Sequence, residues 1–219
     1  MNRFPFLLLA LLAGSSCAGD AAKPEAPAGE TIRPFKIQVA GSVLDDLQER
    51  LARTRFPEAV EGSTWELGVR VEYMKDLVAR WRNGYDWRAT ERTLNRLDHF
   101  TTHVDGIDLH FIHQKSKHPN ALPLVLTHGW PGSFAEFLDV IGPLTDPEAH
   151  GGKAEDAFHV IVPSLPGYGF SGRPPDRGWT VDRMAEAILV VMDRLGYPRF
   201  GAQGGDWGRS ITERIGNDP

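Results

Sequence analysis

"FGAQGGDWGRS", residues 200–210, runs a short strand-like stretch into a glycine-flanked turn and on into the helix-forming "RSITERI". The order small–x–nucleophile–x–small between a strand and a helix is that of a nucleophile elbow, whose central side chain projects from a strained turn. Here the centre is Asp206, and Gly204 and Gly208 stand where side chains would clash between the converging strand and helix. Taken alone, the segment also admits a lesser reading, a Gly-rich turn whose Asp caps the next helix. The choice between the two depends on the rest of the chain.

Two other segments sit in matching places. "LTHGWPGS", residues 126–133, ends an apolar run and precedes a helical pattern, and "VPSLPGYGFSGRP", residues 162–174, ends a second run in a glycine-punctuated loop. The continuous apolar stretches 122–126 and 158–162 suit strands buried on both faces of a parallel sheet. "SFAEFLDVIGPL" and "TVDRMAEAILVVMDRLG" read as helices beside them, and "HFTTHVDGIDLHFIH", residues 99–113, alternates around Asp105-Gly106 as a hairpin.

Upstream lie three helical patterns. "SVLDDLQERLART" places Val43, Leu44, Leu47 and Leu51 on one face, with Ser42 read as its N-cap; "LGVRVEYMKDLVARW" follows, then "DWRATERTLNRL" with Asp86 as cap. The predicted class is α/β: a hairpin plus parallel strands with flanking helices, preceded by a helical N-terminal extension. Ligands are expected beyond the carboxyl ends of the strands.

Composition limits the function. With 219 residues, 41% of them hydrophobic, and a formal charge of −5 without basic blocks, the chain has neither a nucleic-acid stripe nor a polybasic membrane patch. Residues 1–17 read as a signal peptide, with Arg3 ahead of the apolar run 4–12 and the only cysteine, Cys17, in a lipoprotein-like box "LLAGSSC". The expectation is an exported bacterial protein, either periplasmic or anchored to the membrane through a lipidated Cys17, with residues 18–32 as a flexible linker. His99 with His103 and His110 with His113 suggest a metal, but residues three apart in a strand face opposite ways, so no metal site is expected. Nor is a cofactor, since no Walker-type phosphate loop is present.

The succession HGWPGS, PSLPGYGFSGRP and GGDWG resembles the microsomal-type epoxide hydrolases of the α/β-hydrolase superfamily, and residues 33–98 resemble the helical region that precedes the core in that branch. The resemblance implies that Asp206 is the nucleophile and that the main-chain N–H groups of Trp130 and Trp207 form the oxyanion hole. His128, Gly129, Pro131, Gly204 and Gly208 then shape the motifs. His128 is a loop-shaping residue and not the general base, because in that family the catalytic histidine follows the nucleophile.

Aspartate suits this chemistry. With an ordinary pKa of about 3.9 it is an anion at neutral pH and needs no base to attack. Its attack on an epoxide carbon makes an ester, which water can cleave, whereas a serine would leave an inert ether. The implied substrates are a small apolar epoxide and water, and the product a vicinal diol. None of the four tyrosines can be assigned the family's proton-donating role, and no histidine follows Asp206. Residues 99–219 therefore read as the N-terminal half of the core, an incomplete chain without independent turnover. The alternatives are a haloalkane dehalogenase-like hydrolase, which uses the same Asp attack, and a vestigial secreted domain without catalysis.

Overall fold

A computed structural model describes residues 31–62 and 64–217. The signal-like run, Cys17 and most of the linker lie outside the described residues. No helix among the described residues is long and apolar enough to cross a membrane.

Six strands form one mixed sheet: β1 (Arg33–Phe35), β2 (His99–Val104), β3 (Ile107–Gln114), β4 (Leu122–Thr127), β5 (Phe158–Pro163) and β6 (Gly201–Gly204), in the order β1-β2-β3-β5-β4-β6. The first three pair antiparallel, β3 pairs antiparallel with β5, and β4 lies parallel between β5 and β6. The Asp105-Gly106 turn has both residues at positive φ (48° and 84°), the primed geometry that matches strand twist. β1 falls in the stretch expected to be helical. Three residues are too few to show a period, and pairing with β2 is what makes them a strand.

Strands β3, β4 and β5 alternate between two cores. Val125 and Ile161 face one side with Leu109, Phe111, Ile188, Val191 and Ile211. Leu126, Val160 and Val162 face the other with Ile37, Leu94, Phe134 and Ile141. The first core is roofed by α5 (Val181–Arg194) and α6 (Trp207–Gly216), and the second is closed partly by α4 (Leu138–Thr145).

Helices α1 (Gly41–Ala52), α2 (Val71–Gly84) and α3 (Trp87–Leu94) precede the hairpin. Asp86 caps α3, accepting from the Ala89 N–H at 3.1 Å. Ser42 does not cap α1: the helix begins at Gly41 with Ala40 at the cap position, so Ser42 lies in the first turn. "SFAEFLDVIGPL" is likewise not one helix, because Ser133 opens a 3-10 turn by accepting from the Ala135 N–H before α4 starts. The helical unit is tied to the entering chain by Asn95, whose amide bonds both the N–H and the carbonyl of Ile37 at 2.9 Å, and by Glu91, which accepts from the Val39 N–H at 2.7 Å.

Candidate active site

Sheet register builds the site. Leu124 pairs with Gly201 and Thr127 with Gly204, so β4 and β6 end level with each other. The chain segments that follow them, residues 128–130 and 205–207, therefore emerge side by side at the carboxyl edge. Contact between them is backbone-close. A Cβ on Gly208 would collide with the carbonyls of Thr127 and His128, one on Gly204 with the Gly208 backbone, and one on Gly129 would lie 2.5 Å from Asp206 Oδ1. Real Cβ contacts do not come under 3.0 Å, so all three positions exclude a side chain as the backbone stands.

Asp206 has φ 54° and ψ −124°, a conformation that L residues rarely adopt and that costs on the order of 1–3 kcal/mol. Although it occupies the N-cap position of α6, its side chain makes no capping bond. The carboxylate turns instead toward the β4 loop, where the Trp130 N–H donates to Oδ1 at 2.9 Å. The Trp207 N–H donates to the same carboxylate. These two amides, Trp130 first, hold the Asp206 carboxyl below its ordinary pKa and outweigh the opposing effect of burial. An anion is thus fixed by two main-chain donors at an open depression lined by Gly129, Trp130, Pro131, Glu136 and Gly205. The Trp130–Pro131 peptide is cis, and the indoles of Trp130 and Trp207 stand half or more exposed, at 66% and 52%.

His128 is fully buried and both ring nitrogens are committed. Nε2 accepts from the Leu165 N–H at 3.1 Å, which leaves the proton on Nδ1 to donate to the Gly129 carbonyl at 3.0 Å. Burial keeps it neutral by pushing its pKa down. It fastens the β4 loop to the loop after β5, and so brings the third of the three sequence segments to the same edge.

Gly129 has a sharper role than motif geometry suggested, since it is the residue against which the carboxylate packs. No sequence pattern signals this, because the contact spans residues 129 and 206. The hairpin histidines also behave in a way that spacing within one strand hides. His99 and His110 meet across the β2–β3 pair, with His99 Nδ1 3.0 Å from His110 Nε2, while His113 faces the opposite side and reaches the Tyr197 hydroxyl at 3.0 Å. The antiparallel register, Thr101 opposite His110, would have predicted the first pair as a diagonal contact. Among the described residues no group of three or more His, Cys, Asp or Glu could hold a metal ion.

Comparison with known proteins identifies the family. The family model "Epoxide hydrolase N terminus" matches residues 32–137, and "alpha/beta hydrolase fold" matches residues 123–209. A protein of Stigmatella aurantiaca (strain DW4/3-1), named as a candidate epoxide hydrolase, is 55% identical over 184 residues, which are 84% of this chain and 42% of that protein. Epoxide hydrolase 1 of Sus scrofa is 40% identical over 209 residues, 94% of this chain and 46% of its own length. Among solved structures, the juvenile hormone epoxide hydrolase of the silkworm Bombyx mori superposes with a TM-score of 0.76 at 33% identity, covering 85% of this chain and 49% of that one. The chain spans less than half the length of each of these relatives.

Proposed function

The chain belongs to the α/β-hydrolase-fold family of epoxide hydrolases, and from that premise we propose that Asp206 opens an epoxide ring and is itself alkylated. With Oδ1 engaged by the Trp130 amide, Oδ2 attacks a ring carbon from the side opposite the C–O bond. That bond breaks, its electron pair passes to the ring oxygen, and the oxygen takes a proton from water. The product is a hydroxyalkyl ester of Asp206.

In the second step water adds to the ester carbonyl carbon, one of its protons passing to the departing alkoxide and the other to the hydroxide left by ring opening. The Trp130 and Trp207 amides then face the developing oxyanion, and collapse releases a vicinal diol and restores the carboxylate. Removing a donor of this kind typically costs about 2.7–4 kcal/mol. The observation that carries the reading is the Trp130 N–H at 2.9 Å from Asp206 Oδ1, with Trp207 donating to the same group.

The two steps place different demands on these residues. Ring opening needs an anion, which Asp206 already is. Ester hydrolysis needs a base for the water, and the histidines are engaged elsewhere: His128 with the loop backbone, His99 with His110, His113 with Tyr197, His103 with Asp108, His118 with Glu148 and His159 with the Ser116 N–H, while His150 stands beside Gly142. Ring opening is therefore the step to read on these residues, with a rapid acid quench to hold the ester. Incubation with excess styrene oxide should add one epoxide mass to the intact protein, located at Asp206 by peptide mapping and absent from Asp206→Asn. No adduct, or an adduct that survives in Asp206→Asn, would overturn the proposal.

The reaction class is conversion of reactive apolar epoxides to diols, a detoxifying chemistry. We further propose export of the chain and lipid attachment at Cys17. In a bacterial host, palmitate label should enter the chain and be lost in Cys17→Ala.

A further inference from the structure

We infer that His99 and His110 are positioning residues for the oxyanion hole, linking the end of helix α3 to the peptide that carries the Trp130 N–H. The inference rests on the reading above of that N–H as an oxyanion donor.

The links are continuous. The Leu94 carbonyl, at the end of α3, can only accept, so the His99 Nε2 that lies 2.8 Å from it carries a proton and Nδ1 carries a lone pair. His110 Nε2–H therefore donates to His99 Nδ1 at 3.0 Å, leaving His110 Nδ1 to accept from the Ser164 hydroxyl at 2.9 Å. One direction of donation satisfies every ring nitrogen with both histidines neutral. Ser164 is held on its other groups too: its N–H donates to the His110 carbonyl at 2.8 Å, and its carbonyl accepts from the Ser171 hydroxyl at 2.7 Å.

The next residue passes the constraint on. The Leu165 N–H donates to His128 Nε2, and His128 Nδ1–H donates to the Gly129 carbonyl. That carbonyl and the Trp130 N–H belong to one peptide unit, and a peptide unit is planar. Gripping the oxygen end therefore aims the N–H end, which donates to Asp206 Oδ1. A hydrogen bond to the carbonyl also polarises the unit and strengthens its N–H as a donor. A second route runs through packing, since Phe134, four residues after Trp130, sets its ring 5.9 Å from His99 and 5.4 Å from His110, edge-on.

The Ser164–His110–His99 series has the look of a catalytic triad, but Ser164 and His110 are fully buried, so neither can meet a substrate. Burial instead makes the chain of bonds exacting, because each unmet partner carries its full desolvation penalty.

Asp206 reports the effect without any epoxide. Its Cγ can be titrated by carbon NMR while exchange of the Trp130 amide proton is followed in the same sample. His110→Leu and Ser164→Ala should raise the Asp206 midpoint by roughly one pH unit, as a donor to the carboxylate loosens, and speed Trp130 amide exchange roughly tenfold. His113→Leu is the control: it lies on the same strand, is buried, and bonds to Tyr197 on the opposite face. It should lower the melting temperature comparably yet leave both readouts unmoved. Equal shifts in the control, or an unmoved Asp206 in the other two variants, would overturn the inference; if His110→Leu does not fold, the milder Ser164→Ala decides alone. Failure of alkylation with these NMR shifts intact would sink the proposed reaction and leave the positioning role standing.

Discussion

Strand β3 and helix α2 are both rich in large apolar residues, and the fold treats them oppositely. In β3, Leu109, Phe111 and Ile112 are 1% exposed or less, because alternate residues enter two different cores. In α2 no residue is buried; Tyr73, Leu77 and Trp81, spaced four apart on one stripe, remain 43–49% exposed. Periodicity alone marks a face as apolar. Whether the face is covered depends on what the topology brings against it, and the sheet brings helices to both sides of β3.

Substitutions can test that contrast, from large effects to small. Phe111→Ala should cost about 3–5 kcal/mol in denaturant unfolding, since a fully buried aromatic leaves a cavity that the surrounding strands cannot close. Gly208→Ala should cost roughly 3 kcal/mol by forcing a methyl into the Thr127 and His128 carbonyls, and should perturb Asp206 as well.

Acid should act on the β3 side as well. Burial, with His99 nearby, lowers the pKa of His110 to about 3, and burial, with Lys115 and His159 nearby, lowers that of His113 to about 4, from an ordinary value of 6.5. The unfolded chain therefore binds protons that the folded one refuses, so stability is fully present above pH 6.5 and is lost as pH falls toward 4 and 3. Between pH 6.5 and 5 the loss should be roughly 2–3 kcal/mol for the two together, read as a falling denaturation midpoint. A midpoint that does not move would mean these rings are more accessible than the fold implies.

In the helical unit the effects shrink. Asp86→Ala should cost about 1 kcal/mol through the lost cap to Ala89. Leu77→Ala should stay within about 0.5 kcal/mol, since the side chain is already substantially exposed. A Leu77 cost approaching that of Phe111 would show that the α2 stripe is covered in solution.

Much of this was legible in the sequence. The hairpin could be read at Asp105-Gly106 because only a primed turn accommodates that pair so readily. The parallel strands were visible as unbroken apolar runs, and Asp206 from the glycines that flank it. Ser42 is not the cap its residue type suggests, because several neighbouring residues suit that position and the helix start is decided by one hydrogen bond. β1 leaves no mark in the sequence because three residues carry no period. The roles of Gly129, His99 and His110 were hidden for another reason: each depends on a partner that only the register supplies.

The sequence by itself determined the α/β class, the strand–turn–helix setting of Asp206 and the loops that would meet it, since these follow from local steric rules and from the periods of strands and helices. Only the tertiary structure decided that the carboxylate reaches across to the Trp130 amide, and that a file of buried hydrogen-bonding groups from Leu94 to His128 stands behind that amide. The reason is geometric. Hydrogen bonds are short and directional, so which donor meets which acceptor is set by the pairing of strands far apart in the chain, to within a fraction of an ångström.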